Sequence, residues 1–196
     1  MSVFVCGANS DLTHVELVRF DVLEWGRYIP DQRRLSAAEV WEKWQPITLQ
    51  VQGLRRKGAR TQDVYQIGYF GGMSLVVSEK CRTAIDVRFP GSCTFLPVTI
   101  TNVRTNFFAL WANCVRDESL NLVESDISHG IGSLKNVNRY AFREDELIGQ
   151  GLFRLSPCFS GVDDLATQEF VDLVNASSLI GFSFWDRGAT SRDSGN

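Results

Sequence analysis

Histidine is scarce in this sequence, which limits the chemistry that the chain can perform. Only two histidines are present, His14 and His129. Neither lies near a GxSxG nucleophile elbow, so a Ser–His–acid triad is not indicated. No histidine or cysteine cluster has the spacing of a zinc site, and no P-loop occurs. The glycines at 130 and 132 do not complete a GxGxxG fingerprint, because Lys135 stands at the third glycine position. We therefore expect no metal, no cofactor and no enzymatic activity.

Long apolar runs and paired cysteines are also missing. The five cysteines are an odd number without a CxxC pair, which argues against a secreted disulfide framework. Cys81 and Cys114 lie in segments predicted to be buried, so we expect them to be small core residues. The first residues lack the basic region of a signal peptide, and no window approaches the ~18 apolar residues of a membrane span. These features predict a cytoplasmic protein without a membrane partner.

The composition is that of a globular protein with an uneven charge distribution. The chain has 196 residues, of which 44% are hydrophobic and 22% charged, and its formal net charge is −3. A chain of this length can bury a core without a metal or a disulfide. Residues 1–100 carry 12 basic and 10 acidic side chains, whereas residues 101–196 carry 8 and 13. Acidic surface is therefore concentrated in the second half of the chain.

The stretch 95–126 is the most informative part of the sequence. It begins with the strand-like run FLPVTI, continues through a polar turn, and reaches the almost wholly apolar segment 107–115. Two apolar strands around a polar turn predict a hairpin, and an uninterrupted apolar strand is expected to be buried on both faces. Pro97 cannot donate a ladder hydrogen bond, which places its strand towards a sheet edge or a strand start. An acidic run follows the hairpin.

The remaining patterns predict an α+β fold: a mostly antiparallel mixed sheet with a few short helices packed on it. Strands and helices do not alternate strictly, as βαβ units would. No internal repeat is evident. We expect an N-terminal region at 1–70 that belongs to the same fold, a core at 71–186 and a disordered tail at 187–196. Capping residues predict helices that begin after Ser36, Ser78 and Thr167.

Charged segments give only weak functional signals by themselves. Acidic residues adjacent in sequence, such as Asp117 and Glu118, point apart on an extended chain and are typical of solvated turns. A hydrolase whose carboxylates meet only in the fold is the open enzymatic alternative. The basic loop at 54–60 lacks interleaved aromatic residues for base stacking, so a solvated loop is favoured over direct nucleic-acid binding.

Seven short motifs together resemble a known protein family. In order they are LVVSEK at 75–80, FLPV at 95–98, FFAL at 107–110, LNLVES at 120–125, LFRL at 152–155, QEF at 168–170 and LIGFSF at 179–184. Their order and spacing resemble the bacterial immunity proteins encoded beside polymorphic toxins, first catalogued as a domain of unknown function. Asn121 stands where that family often has aspartate, and Trp111 where a polar residue is common. These departures concern the toxin subtype rather than the fold.

The resemblance implies a non-enzymatic inhibitor of a cognate toxin in interbacterial competition. The toxin would act in the cytoplasm, as a nuclease, a deaminase or an ADP-ribosyltransferase does. Such toxins usually carry basic clefts, so we expect an acidic contact surface, formed by Asp117, Glu118, Glu124 and Asp126. The alternative function is a small-ligand-binding regulatory domain with an aromatic pocket built from Trp25, Trp41 or Trp111.

Overall fold

We describe the fold from a computed structural model. It describes residues 2–8, 14–17, 37–44, 46–52, 62–67, 75–101, 103–129, 135–156, 159–160 and 164–186, and the structural statements below concern these residues. In chain order, the elements are β1 Val3–Ala8, β2 His14–Leu17, α1 Ala37–Lys43, β3 Ile47–Gln52, β4 Val64–Ile67, β5 Leu75–Ser78, α2 Glu79–Arg88, β6 Cys93–Ile100, β7 Phe107–Ala112, β8 Asp126–His129, β9 Lys135–Arg139, β10 Leu152–Phe153, β11 Phe159–Ser160, β12 Asp164–Thr167, α3 Gln168–Ala176 and β13 Phe182–Trp185. Two 3-10 turns, Asp117–Ser119 and Glu144–Leu147, complete the set.

Six strands close into a barrel in the order β2, β3, β6, β7, β5, β4. The predicted hairpin is present as β6 and β7, which pair antiparallel. All six residues of β7 are buried. Alternate side chains of a strand point to opposite faces, and both faces of β7 are covered. One face lines the barrel interior with Phe107, Ala109 and Trp111, and the other contributes Phe108 and Leu110 to a core outside it.

A second sheet has four strands in the order β10, β12, β1, β13, and a third has β11, β9, β8. The pairings are mostly antiparallel, and the helices are short, so the α+β prediction is confirmed. The largest core lies between the barrel, the second sheet and the helices α2 and α3, which pack against each other. A further core lies between the second and third sheets.

The second half of the chain repeats the architecture of the first half. In the first half, β4 pairs antiparallel with β5, the helix α2 follows, and β6 ends the unit. In the second half, β10 pairs antiparallel with β12, the helix α3 follows, and β13 ends the unit. Residues 78–93 and 167–182 correspond without a gap. Both ranges begin at the residue before a helix and end at the first residue of a strand. Both helices bury their third and seventh residues.

The two repeats exchange their first strands. Repeat 1, residues 3–100, begins with β1, which lies between β12 and β13 of repeat 2. Repeat 2, residues 107–186, begins with β7, which lies between β5 and β6 of repeat 1. The likeness resides in connectivity, so no repeat is evident in the residues: β1 and β7, VFVCGA and FFALWA, share only Phe and Ala at matching positions. Strands on either side of residue 70 pair with each other, since β4 pairs with β5.

Pro97 lies inside the barrel sheet rather than at an edge. It stands opposite Phe108 of β7, and its carbonyl accepts a hydrogen bond from Trp44 Nε1 at 3.0 Å. The N and C=O of one strand residue face the same side of the strand. The position at which Pro97 lacks an N–H therefore faces Trp44, just after α1, and not β7. β3 pairs with β6 only from Val98 onward. Proline therefore removes no ladder hydrogen bond at this position, which explains why the edge prediction was wrong.

The last part of the predicted apolar strand is also different. β7 ends at Ala112. Beyond it, Asn113 N donates to Ser92 O at 2.8 Å, and the Asn113 side chain donates to Gly91 O at 3.1 Å. Val115 is 40% exposed. Cys114 is half-buried rather than a core residue, and its Sγ donates to Gln150 Oε1 at 3.3 Å. Cys81, in contrast, is fully buried, as predicted.

Candidate functional site: an acidic surface

The predicted carboxylates lie on one of two backbone segments that run side by side, 114–126 and 139–148. Asn121 N donates a hydrogen bond to Ala141 O at 2.8 Å. The 3-10 turns of the two segments contact each other. A buried residue of the first segment, Leu120, anchors it to the core between the second and third sheets. We call the exposed face of these two segments the acidic surface.

A hydrogen-bonded turn holds the tip of the first segment in one conformation. Asn121 Oδ1 accepts hydrogen bonds from the backbone N–H groups of Val123 at 3.2 Å and Glu124 at 3.4 Å. Ser125 attaches the turn to the neighbouring segment, because its Oγ accepts from Ala141 N at 3.0 Å and donates to Ala141 O at 3.2 Å. The tip is therefore pre-ordered, and a partner that binds it would lose little conformational entropy in ordering it.

Apolar side chains are exposed on this surface. On the tip, Val123 is 93% exposed and Leu122 is 54% exposed, while Ile148 is 72% and Val115 is 40% exposed. These four are half of the eight large hydrophobic side chains that are exposed in the described part of the chain. A single exposed apolar residue is ordinary, whereas several of them surrounded by polar residues mark an interaction site.

Asp117 and Glu118 have different roles in the 3-10 turn. The half-buried Asp117 is structural, since its Oδ1 accepts a hydrogen bond from Ser156 N at 2.7 Å. Glu118 is exposed, and its Oε1 accepts from Arg116 Nη1 at 3.2 Å. A hydrogen bond from its own backbone N–H lowers the pKa of Glu118. Desolvation opposes this effect, and the hydrogen bond and charge of the Arg116 guanidinium add to the lowering. Glu118 is thus a carboxylate at neutral pH whose charge Arg116 partly balances.

Glu124 and Asp126 are brought together beside one arginine. Both are exposed. Arg139 Nη2 donates to the backbone O of Glu124 at 3.1 Å, and Arg139 is the register partner of Asp126 at a β-bulge. An open, shallow cavity of about 470 Å³ lies here, lined by Val123, Glu124, Arg139, Tyr140 and Ala141. The acidic surface therefore presents a carboxylate, an apolar side chain and a concave surface next to one another.

Sequence reasoning missed half of this surface. Glu144, Asp145 and Glu146 were not among the predicted contact residues, but they are exposed on the segment that contacts the first 3-10 turn. The exposed pair Leu122 and Val123 was not predicted either. The sequence offered one local signal for this surface: the tip sequence LNLV places apolar residues just before Glu124 and Asp126. Within that sequence, periodicity could not show that Leu120 would be buried and the next two apolar residues exposed.

Two of the three tryptophans named in the alternative prediction, Trp41 and Trp111, lie in different environments. Trp111 is 1% exposed and belongs to the barrel interior, whereas Trp41 is 55% exposed on α1. Trp25 lies outside the described residues, as do the basic loop at 54–60, Ser36 and the tail at 187–196. The ligand-binding alternative therefore gains no support from Trp41 and Trp111.

Metal chemistry and membrane insertion were tested on the same residues. Across the described ranges, no group of three or more His, Cys, Asp or Glu side chains is arranged to hold a metal ion. No helix found there is long and apolar enough to cross a membrane. The acidic surface presents charged side chains, a hydrogen-bonded tip and exposed apolar groups.

Comparisons with known proteins leave the family open. No protein-family model matches the chain, and no curated protein matches it significantly. The resemblance carried by the seven motifs therefore stays a prediction.

Proposed function

We propose that this protein binds a co-encoded antibacterial toxin that acts in the cytoplasm and neutralises it by covering its active site. The observation that carries the proposal is the acidic surface, where a pre-ordered tip presents exposed apolar side chains among carboxylates. The motif resemblance supplies the class of partner: a nuclease, a deaminase or an ADP-ribosyltransferase. The protein itself acts by binding rather than by catalysis.

The charge of the acidic surface supports a basic partner. Its two segments, 114–126 and 139–148, contain seven acidic and three basic side chains. Enzymes that act on nucleic acids or nucleotides hold anionic substrates with basic groups. A surface of opposite sign raises the rate of encounter with such a cleft and disfavours partners of like charge. Because binding energy concentrates in a few central residues, we expect Val123 and Glu124 on the tip to contribute most.

Binding to the product of the gene directly upstream tests this proposal. Calorimetry should detect a complex, and co-expression should protect cells from that product. Val123→Ala should weaken binding by about tenfold or more, as truncation of a central contact does. Glu124→Gln and Asp126→Asn should slow association and reduce its dependence on salt. Asp117→Asn should act mainly through stability, because Asp117 holds its own turn.

Two residues on α2 provide matched controls. Val87 is 79% exposed and Asp86 has an exposed carboxylate, and neither residue belongs to the two segments that form the acidic surface. Val87→Ala and Asp86→Asn should leave affinity unchanged. If the upstream product does not bind at all, the proposed function is wrong. If it binds and both sets of variants behave like the parent, the contact lies on another surface.

A further inference from the structure

In its described residues, repeat 2 has the layout of the barrel, with two isolated bridges where the barrel has the strands β2 and β3. Val115 forms a parallel bridge to Arg154, next to β10, just as β2 pairs in parallel with β4. The antiparallel bridge between Leu120 and Phe142 corresponds to the pairing of β2 with β3. In the barrel, β3 then closes the ring by pairing in parallel with β6. Among the residues that the structure describes, no strand pairs with the outer edge of β13, the counterpart of β6.

Trp185 marks the open side. Trp185 stands opposite Val5 on β1. The corresponding residue of the barrel is Leu96, which stands opposite Ala109. Leu96 is fully buried, whereas Trp185 is 49% exposed. The indole lies on Gly7, where an added methyl carbon would be 2.5 Å from Trp185 Cζ3. A large aromatic face is therefore presented to solvent beside a strand edge that carries backbone hydrogen-bonding groups.

The barrel itself indicates what such an edge can take. β3, ITLQVQ, alternates apolar and polar residues, with Leu49 fully buried and Thr48 and Gln50 exposed. It adds to β6 through main-chain hydrogen bonds, which require no particular sequence, while alternate side chains enter the interior. Strand addition to an exposed edge is also a common mode of protein recognition.

We propose that the bound toxin supplies an extended strand that pairs with the outer edge of β13 and covers Trp185. The strand runs parallel to β13, as β3 does to β6, and places apolar side chains on the indole. This inference rests on the proposed function and adds the binding mode. In this correspondence the counterpart of β3 is the segment around Phe142, whose neighbour Ala141 holds the tip through Ser125, so the added strand is expected between β13 and the acidic surface. One partner can therefore contact the tip and the strand edge together.

Hydrogen exchange on the free protein and on its complex with the upstream gene product tests the inference. In the free protein, the β13 amides that point away from β1 should exchange rapidly. In the complex, peptides covering 179–186 and 120–126 should both become protected, whereas a peptide covering 84–88 on α2 should not change. Slow exchange of the whole of β13 in the free protein would mean that this chain fills the edge itself, and the inference would be wrong.

The remaining outcomes separate the inference from the proposed function. Protection at 120–126 without protection at 179–186 overturns strand addition and leaves toxin binding by the tip intact. If no complex forms, both fail. Trp185→Ala should weaken binding by about tenfold, while Trp41→Ala, at a tryptophan that is 55% exposed on α1, should have no effect. Equal affinities for these two variants would argue against a contact with Trp185, and thermal melts confirm that both variants fold.

Discussion

Replacing Gly151 with alanine should destabilise the fold, because a buried ring occupies the space that the new methyl group needs. A methyl carbon built on Gly151 would lie 2.5 Å from Phe89 Cδ2, 2.7 Å from Cγ and 2.8 Å from Cε2. Phe89 is 3% exposed and packs against Phe170 with a ring-centroid distance of 6.2 Å. The backbone is held as well, since Gly151 O accepts a hydrogen bond from Thr167 N at 3.0 Å. Neither the ring nor the strand can move away without losing contacts.

Two effects of opposite sign set the magnitude. Overpacking a well-filled core costs about 1–3 kcal/mol. Replacing glycine by alanine also restricts the unfolded chain, which stabilises the native state by about 0.4–1 kcal/mol. Because three ring atoms lie within 3 Å of the added carbon, the steric cost is the larger effect. We expect Gly151→Ala to lower the free energy of unfolding by about 1–2 kcal/mol, which lowers the melting temperature by about 2–8 °C.

Urea titration of three further variants checks the cause. Gly7→Ala should cost less, because the ring it meets belongs to Trp185, which is 49% exposed and can shift. Phe89→Leu should be less costly in the Gly151→Ala background than alone, with a coupling of about 0.5–3 kcal/mol. A Gly151→Ala protein as stable as the parent, or costs that simply add in the double variant, would refute the steric argument.

Three other predictions concern the core and its thiols. Leu110→Ala empties a fully buried position of β7 and should lower the free energy of unfolding in urea by about 2–5 kcal/mol; almost no loss would place Leu110 outside the core. A thiol reagent should modify the half-buried Cys114 before the buried Cys81 and Cys93, and peptide mapping that finds equal rates would contradict this order. Burial raises the pKa of the Cys93 thiol to about 12, whereas the pKa of a cysteine thiol in the unfolded chain is about 8.5. The unfolded state therefore loses this proton first, so the contribution of Cys93 to stability is complete below the unfolded pKa and is lost as the pH rises towards the folded one. Urea midpoints should fall through this alkaline range, and a Cys93→Ala variant that falls as steeply would rule out Cys93 as a cause.

Local physical chemistry made part of the fold predictable from sequence. The apolar run of β7 indicated burial on both faces, and the structure provides two cores for it. The predicted N-cap Ser78 accepts a hydrogen bond from Cys81 N at 3.2 Å. At Thr167 the helix begins as predicted, but the hydroxyl donates to Gln150 O at 2.6 Å instead of capping the helix. Sequence identified the helix start there and could not identify the hydroxyl's partner, because that partner comes from another element.

The features that sequence did not predict depend on contacts between distant parts of the chain. Pro97 is tolerated inside a sheet because β3 begins to pair one residue later. The exchange of β1 and β7 leaves almost no trace in the residues, since each strand needs only apolar side chains for its new neighbours. At the acidic surface, Glu124 and Asp126 are exposed, whereas sequence could not show that Asp117 accepts a hydrogen bond from Ser156 N. Burial and partner choice at a surface are decided by tertiary structure.

The exchange of β1 and β7 between the repeats also affects the binding that we propose for the acidic surface. β7 is the first strand of repeat 2, yet its hydrogen bonds are to β5 and β6 of repeat 1. The chain leaves β7 at Ala112 and within a few residues contacts the rest of repeat 2, where Arg116 N donates to Arg154 O at 3.0 Å. The base of the acidic surface is therefore fixed to both repeats at once, and its tip is fixed by Asn121. Ordering a loop on binding reduces affinity. Here that ordering is already present in the free fold, so the exposed valine and carboxylates can contribute directly to binding.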